Sequence, residues 1–296
     1  MTKTTTLIIA ITAMLTACTA GGKQDAEKPL VAVSIEPQRY FVEQIAGDKV
    51  EVKTLVPKGA APETYDLTPN QIVTLGQCQA YFVMGHLAFE RQWVDSYSSQ
   101  HPHTSIVDMS KGVDPIVADT PHIGHQKEDI PGLFVEPHTW MSVRNALTIA
   151  NNVCEGLCVT DPENKAYYEQ RLDSLDKRLH RLDKRIRTTL ATADSTFLIY
   201  HPALTYFARD YGLTQISIES DGKEPSPRQM KTIIDKAAAK GINVLFIQPE
   251  FDRRTAETLV KSTGTRLVTV NPLAYDWEKE MTAAADALAG NERKDR

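Results

Sequence analysis

The chain has 296 residues, of which 42% are hydrophobic and 24% are charged, and its formal net charge is −5. This composition is typical of a globular protein with room for two domains of about 130 residues each, and it excludes a disordered or fibrous chain. The acidic balance excludes the basic surface that nucleic-acid binding requires. We therefore expect no nucleic-acid partner.

The N-terminus has the pattern of a secretory signal peptide, predicted to span residues 1–17. An early lysine is followed by a short apolar run, Leu7 to Leu15, and then by small residues up to Cys18. The run is shorter than the roughly 20 apolar residues of a membrane-spanning helix, and no later apolar segment is long enough. Small residues before a cysteine resemble a bacterial lipobox, which predicts a lipid anchor on Cys18. Residues 18–28 are small and polar and are predicted to be a tether.

Two series of short strands alternate with helical segments. The first series is Leu30–Ile35, Val50–Val56, Ala80–Met84 and Ser105–Asp108. The second series is Thr196–Tyr200, Gln215–Ile218, Asn243–Ile247 and Arg266–Val270, with helical segments near 203–211, 227–240 and 254–263. This alternation predicts an α/β fold made of two lobes with largely parallel sheets. We place the N-terminal lobe at residues 29–160 and the C-terminal lobe at residues 194–296.

One long rigid helix is predicted between the lobes, within residues 161–193. Asp161 and Pro162 are predicted to be its N-cap and first residue. Apolar residues then recur every three or four positions, at Tyr168, Leu172, Leu175, Leu179, Leu182, Ile186 and Leu190. The helix would be about 43 Å long. We expect it to pack along both lobes of a monomer and to limit hinge motion; a coiled-coil dimer is the alternative.

An exported protein keeps its cysteines in an oxidising compartment. Cys154 and Cys158 lie four residues apart in an apolar stretch, on one face of a predicted helix. A disulfide is awkward there, because the two Cβ atoms are usually too far apart. We interpret both as small buried hydrophobic residues.

Three polar residues stand where an α/β protein binds its ligands, near the ends of strands. His201 directly follows the strand Thr196–Tyr200, His138 follows a polar loop of the first lobe, and Glu63 lies in the loop after the second strand. A lone histidine at a helix entry is more often structural. Two imidazoles and a carboxylate that converge between the lobes would suit Zn²⁺ or Mn²⁺.

Several segments carry a family resemblance when taken together. They are VPKGAAPETYDLTP, EPHTW, YHPALTYFARDYGL, EPSP, FIQPEF and NPLA. The chain resembles the zinc- and manganese-binding solute-binding lipoproteins of bacterial ABC importers that have a rigid interdomain helix, over nearly all of Leu30 to Leu288. The resemblance implies two pseudo-symmetric lobes, a metal at their interface and handover to a membrane permease. The predicted signal peptide and the anchor on Cys18 indicate an exported lipoprotein, located in the periplasm or on the cell surface.

The resemblance assigns metal ligands residue by residue. The second and third ligands of the family fall on His138 and His201, and the first, usually a histidine, falls on Glu63. The carboxylate makes the site harder and more anionic than one with three histidines. We expect zinc as the cargo, with Mn²⁺ and Fe²⁺ as alternatives. The fourth position is left open between Glu250, Asn271, Asp276 and a water molecule.

Other histidines allow weaker hypotheses. His122 and His125 lie in a polar loop ahead of His138 and could collect metal, or the loop could simply be solvated. His86 follows a strand, and we interpret it as structural. His180 lies on the charged connecting helix and is expected to be solvated.

Three classes of function fit these features. The leading hypothesis is an extracytoplasmic binding protein that delivers a divalent metal to an ABC importer and has no enzymatic activity. A metal-dependent hydrolase with Glu250 as general base is one alternative, although the sequence contains no HExxH helix, nucleophile elbow or phosphate-binding glycine loop. A surface adhesin stabilised by its metal is the other.

Overall fold

The computed structural model describes residues 28–118, 134–219 and 224–291. The predicted signal peptide, the lipidation residue Cys18 and the polar loop 119–129 lie outside the described residues. No helix in the described part of the chain is both long and apolar enough to cross a membrane.

The N-terminal lobe contains a parallel sheet of four strands. These are β1 (Leu30–Val33), β2 (Glu51–Thr54), β3 (Ala80–Val83) and β4 (Ser105–Asp108), in the order β2-β1-β3-β4. The central strand β3 is buried at every position, whereas the edge strand β2 has no buried position. Near-continuous apolar sequence in a central strand is what a sheet covered on both faces requires.

A short antiparallel ribbon follows, made of β5 (Val117–Ala118) and β6 (Phe134–Val135). The sequence analysis did not predict it, because two-residue strands have no measurable periodicity. This ribbon leads directly to the segment that contains His138.

The C-terminal lobe repeats the architecture of the first. Its parallel sheet has the order β10-β9-β7-β8, with β7 (Thr196–Ile199), β8 (Thr214–Ser217), β9 (Val244–Ile247) and β10 (Arg266–Thr269). The predicted two-lobed α/β fold and all eight predicted strands are confirmed: β4 has the predicted bounds, β8 is shifted by one residue, and the other six strands are one to three residues shorter than predicted.

Helices connect the strands and cover the sheets. They are α1 (Glu36–Ala46), α2 (Pro69–Leu75), α3 (Ala88–Gln100), α4 (Val143–Thr160), α5 (Lys165–Leu190), α6 (Thr205–Tyr211), α7 (Pro227–Lys240), α8 (Arg253–Thr263) and α9 (Trp277–Leu288). Cys154 and Cys158 on α4 are free thiols, the first buried and the second half-buried.

The long helical segment begins at Pro162, as predicted. Asp161 is the C-cap of α4, and a single 3-10 turn, Pro162–Asn164, precedes α5. The Asp161 carboxylate accepts hydrogen bonds from Tyr168 and Asn164 side chains, at 2.5 and 2.7 Å, and makes no capping bond to the backbone. Asp161 is thus the N-cap of that turn and Pro162 its first residue, as predicted, although the Asp161 side chain does not cap the backbone, and the α-helical part spans about 39 Å.

The apolar stripe of α5 joins the two lobes. Leu175, Leu179 and Ile186 are fully buried, and α5 packs against α1 and α4 on one side and α9 on the other. One hydrophobic cluster therefore runs from the first sheet through α5 to the second sheet. The stripe is buried within the chain, which contradicts the coiled-coil alternative.

Two tryptophan indoles donate hydrogen bonds from one lobe to the other. The Trp140 indole donates to the carbonyl of Pro272 at 2.8 Å, and the Trp277 indole donates to the carbonyl of Trp140 at 2.9 Å. Both side chains are almost completely buried. Because Trp140 lies two residues after His138, these bonds fix one wall of the interlobe cleft against the other lobe.

Candidate metal centre

His201 lies at the carboxyl end of the central strand β7, two residues after it ends. The side-chain amide of Gln248 holds its backbone, donating to the His201 carbonyl at 2.6 Å and accepting from its N–H at 3.3 Å. The Nδ1 atom lies 3.3 Å from Glu219. A carboxylate only accepts, so Nδ1 carries the proton and Nε2 keeps its lone pair.

His138 lies between β6 and α4, on the opposite side of the cleft. Glu136 accepts a hydrogen bond from the His138 N–H at 3.1 Å and also contacts Nδ1. The same reasoning again leaves Nε2 with its lone pair. Both imidazoles are 5% exposed, and each is oriented by a buried carboxylate, as in the carboxylate–histidine pairs that hold metal ligands.

Glu63 completes the group from a 3-10 turn, Pro62–Thr64, in the loop after β2. Its Oε1 atom is 3.9 Å from Nε2 of His138 and 3.8 Å from Nε2 of His201. The three donor atoms all lie within 4.8 Å of one another. Ligands of a tetrahedral zinc ion are about 3.3 Å apart, so these donors need to move by less than about 1 Å to bind one ion.

The donors face a cavity of about 20 Å³, which is room for one water molecule or one metal ion. The Nε2 atom of His201 is buried there without a hydrogen-bond partner. A buried polar atom without a partner is rare and costly, and a bound cation would satisfy it. Phe251 stacks on the His201 ring with centroids 5.4 Å apart and helps to exclude water.

The charges of the site favour a cation. Burial alone lowers the pKa of His201, but its hydrogen bond with Glu219 and the negative charge of Glu63 outweigh burial and raise it. The site therefore attracts positive charge, and protons compete with a metal ion for the imidazole.

The candidates for the fourth ligand occupy different places. Glu250 lines the small cavity, although its oxygens lie outside the group of three converging donors. Burial raises its carboxyl pKa, as does the nearby charge of Glu63. Asn271 and Asp276 line an adjoining cavity of about 350 Å³, and the Asn271 side chain already accepts from the N–H of Leu273.

The predicted residues Glu63, His138 and His201 thus come together, and in the described part of the chain theirs is the one group of three potential ligands that converges. His86 is not part of it, and His122 and His125 lie outside the described residues. The sequence analysis did not assign an orienting role to Glu136, Glu219 or Gln248. Of these, only Glu136 gave a local signal, because it lies two residues from a predicted ligand.

Comparison with protein families gives an independent view of the chain. The family model of the periplasmic zinc-uptake complex component A (ZnuA) matches residues 31–290. That range includes both sheets, α5 and every residue of the site described above.

Individual relatives cover most of the chain. The high-affinity zinc uptake system protein ZnuA of Bacillus subtilis is 28% identical over 83% of this chain and 79% of its own. The manganese ABC transporter substrate-binding lipoprotein PsaA of Streptococcus anginosus is 27% identical over 88% of this chain and 86% of its own. A crystal structure of ZnuA superposes with a TM-score of 0.80, at 31% identity, over 90% of this chain and 100% of that chain.

Proposed function

The chain belongs to the family of periplasmic zinc-uptake complex component A, and from this premise we propose that it captures a divalent transition metal ion and delivers it to an ABC importer. The observation that supports the proposal is the convergence of two oriented imidazoles and one carboxylate on a cavity the size of one ion. The metal is the cargo of the protein and not a catalyst.

The proposed ligands are Glu63, His138 and His201, with Glu250 or a water molecule in the fourth position. Zinc is the preferred cargo, because two neutral imidazoles and an oxygen donor are common zinc ligands. Mn²⁺ and Fe²⁺ also accept imidazole and carboxylate ligands and are the alternatives.

The N-terminal sequence supports a proposal for how the protein is processed and where it is located. We propose that residues 1–17 are removed, that Cys18 is lipidated and that residues 18–28 tether the protein to a membrane. Residues 29–160 and 194–296 form the lobes on either side of the 161–193 connector. The protein acts as a periplasmic or cell-surface monomer that meets the permease of an importer.

The hydrolase alternative requires a general base next to an open metal position. Glu250 lines the cavity, and its raised pKa would suit a general acid or base. Nevertheless, the cavity that the three donors face has room for about one water or ion, and none of the three donors lines the adjoining cavity of about 350 Å³. We therefore propose binding without turnover. Metal-limited growth of a deletion strain separates transport from the adhesin alternative, since an adhesin is not needed to acquire metal.

Elemental analysis tests the proposal directly. The mature chain, prepared without a polyhistidine tag, should retain about one zinc ion per molecule after gel filtration under metal-replete conditions. The variant His138→Ala/His201→Ala should retain none. The matched control His103→Ala/His180→Ala removes two exposed histidines and should bind like the wild type. Equal metal content in the two double variants would overturn the site assignment.

A further inference from the structure

At one position of the β5–β6 ribbon, a side chain from the other lobe bridges two backbone groups that would otherwise hydrogen-bond to each other directly. Val117 pairs with Val135, so Ile116 and Glu136 form the next pair in register. In an antiparallel ladder such residues exchange two N–H···O bonds. The Glu136 N–H donates directly to the Ile116 carbonyl at 2.9 Å.

The reciprocal bond passes through Tyr206. The Ile116 N–H donates to the Tyr206 hydroxyl at 3.1 Å, and that hydroxyl donates to the Glu136 carbonyl at 2.9 Å. The Tyr206 hydroxyl therefore bridges the Ile116 N–H and the Glu136 carbonyl, as an ordered water molecule would. Tyr206 is 0% exposed and belongs to α6, five residues after His201.

Glu136 is also the residue that orients His138. One carboxylate oxygen accepts from the His138 N–H and contacts its Nδ1, and the other lies 3.3 Å from the hydroxyl of Thr205 on α6. Glu136 is thus held from the opposite lobe through both its backbone and its side chain. The Arg209 guanidinium lies over the Tyr206 ring on the same helix, 4.9 Å from its centroid, and donates to the Asp114 carbonyl of the N-terminal lobe at 2.9 Å.

We propose that Tyr206 is a positioning residue for metal binding, which sets the separation of His138 and His201 through Glu136. The inference rests on the proposed function of the site. Its physical basis is that the two ligands belong to different lobes, so their spacing depends on what fixes one lobe against the other near the cavity. A buried phenol with two satisfied hydrogen bonds is a rigid spacer.

Removal of the hydroxyl leaves two outcomes for the ribbon. Either the Ile116 N–H and the Glu136 carbonyl remain buried and unpaired, or β5 and β6 close directly and draw Glu136 away from α6. Both move the carboxylate that orients His138. Loss of an outer-shell partner typically costs 10- to 100-fold in metal affinity, and we expect about tenfold weaker zinc binding in Tyr206→Phe.

The test compares two tyrosine-to-phenylalanine variants. Tyr97 is the matched control, because it is also buried and donates to a backbone carbonyl, that of Leu75 at 2.8 Å, but lies within the N-terminal lobe. Zinc Kd values are measured by competition with a chromophoric chelator, and the Co²⁺ complexes by visible absorption. We expect Tyr206→Phe to weaken zinc binding and alter the Co²⁺ spectrum, and Tyr97→Phe to change neither.

Two further measurements separate the explanations. In a Glu136→Gln background the effect of Tyr206→Phe should shrink, since its route to His138 is already weakened. Thr205→Val removes the other α6 contact with Glu136 and gives an independent test if Tyr206→Phe does not fold. Wild-type affinity and spectrum in a folded Tyr206→Phe protein would overturn the inference. Absence of zinc binding by the wild type would instead overturn the proposed function.

Discussion

His138 and His201 present the same ring nitrogen to the cavity, but the two lobes hold them with different parts of the chain. His138 depends on Glu136, two residues before it. His201 depends on Glu219 and Gln248, which lie 18 and 47 residues away in sequence. The residue that orients His138 thus belongs to the same segment, which α6 contacts from the other lobe, whereas the residues that orient His201 come together only when the C-terminal sheet is assembled.

The two lobes also differ in the number of side chains that orient each histidine. Glu136 contacts both the backbone and the ring of its histidine, whereas Glu219 reaches only the ring of His201 and Gln248 only its backbone. Orientation within the N-terminal lobe therefore rests on one side chain. In the C-terminal lobe it is divided between two.

The largest expected effect comes from removal of either ligand. His138→Ala and His201→Ala should each weaken zinc binding by more than about 100-fold, beyond the upper range for an outer-shell partner. Chelator competition measures the loss, with His180→Ala as the control because His180 is exposed. If one variant kept near-native affinity, the two lobes would not contribute equivalent ligands.

Replacement of the orienting carboxylate should weaken zinc binding to a different extent in each lobe. Glu136→Gln should weaken zinc binding by about 10- to 100-fold, and Glu219→Gln by less, because His201 keeps its Gln248 clamp. Titration calorimetry measures both, with exposed Glu163→Gln as the control. A larger loss for Glu219→Gln would reverse the comparison.

Glu63 lies between the two histidines and is the one oxygen donor of the group. Glu63→His replaces a hard oxygen donor with a softer imidazole, so the preference for zinc over manganese should rise by about tenfold. The ratio of the two dissociation constants is the measurement. An unchanged or smaller ratio would mean that Glu63 does not contact the ion.

The smallest expected effect concerns the core of the N-terminal lobe. Glu90 is buried beside β3 and accepts from the N–H groups of Met84 and Gly85 at 3.0 and 2.8 Å. Burial raises the pKa of its carboxyl to about 7. The folded state therefore holds this proton more tightly than the unfolded state, and stability is lost as pH rises from the unfolded pKa of about 4.3 through 7.

Urea unfolding of the metal-free chain tests this linkage. The unfolding free energy should rise by about 1 kcal/mol between pH 8 and pH 6, and Glu90→Gln should remove most of that rise. A slope that persists in Glu90→Gln would place the responsible group elsewhere.

Residues with local signals could be predicted from the sequence. Central strands such as β3 and β9 are short apolar runs, and His201 directly follows one of the strands. Convergence of Glu63, His138 and His201 could be expected because each lies near a strand end or a helix entry. The roles of Glu219, Gln248 and Tyr206 could not, because they depend on pairing between distant segments. The N-cap position of Asp161 could be predicted, but not that its carboxylate binds side chains in place of the helix N-terminus.

The interlobe hydrogen bonds that the Trp140 and Trp277 indoles donate have a thermodynamic consequence. They link the two lobes without involving any of the three donor residues. Binding then buries little new apolar surface, so its heat-capacity change should be close to zero and the radius of gyration constant. We therefore expect an importer to distinguish loaded from empty protein by the local surface around Glu63, whose side chain is 19% exposed and is the most accessible of the three donors.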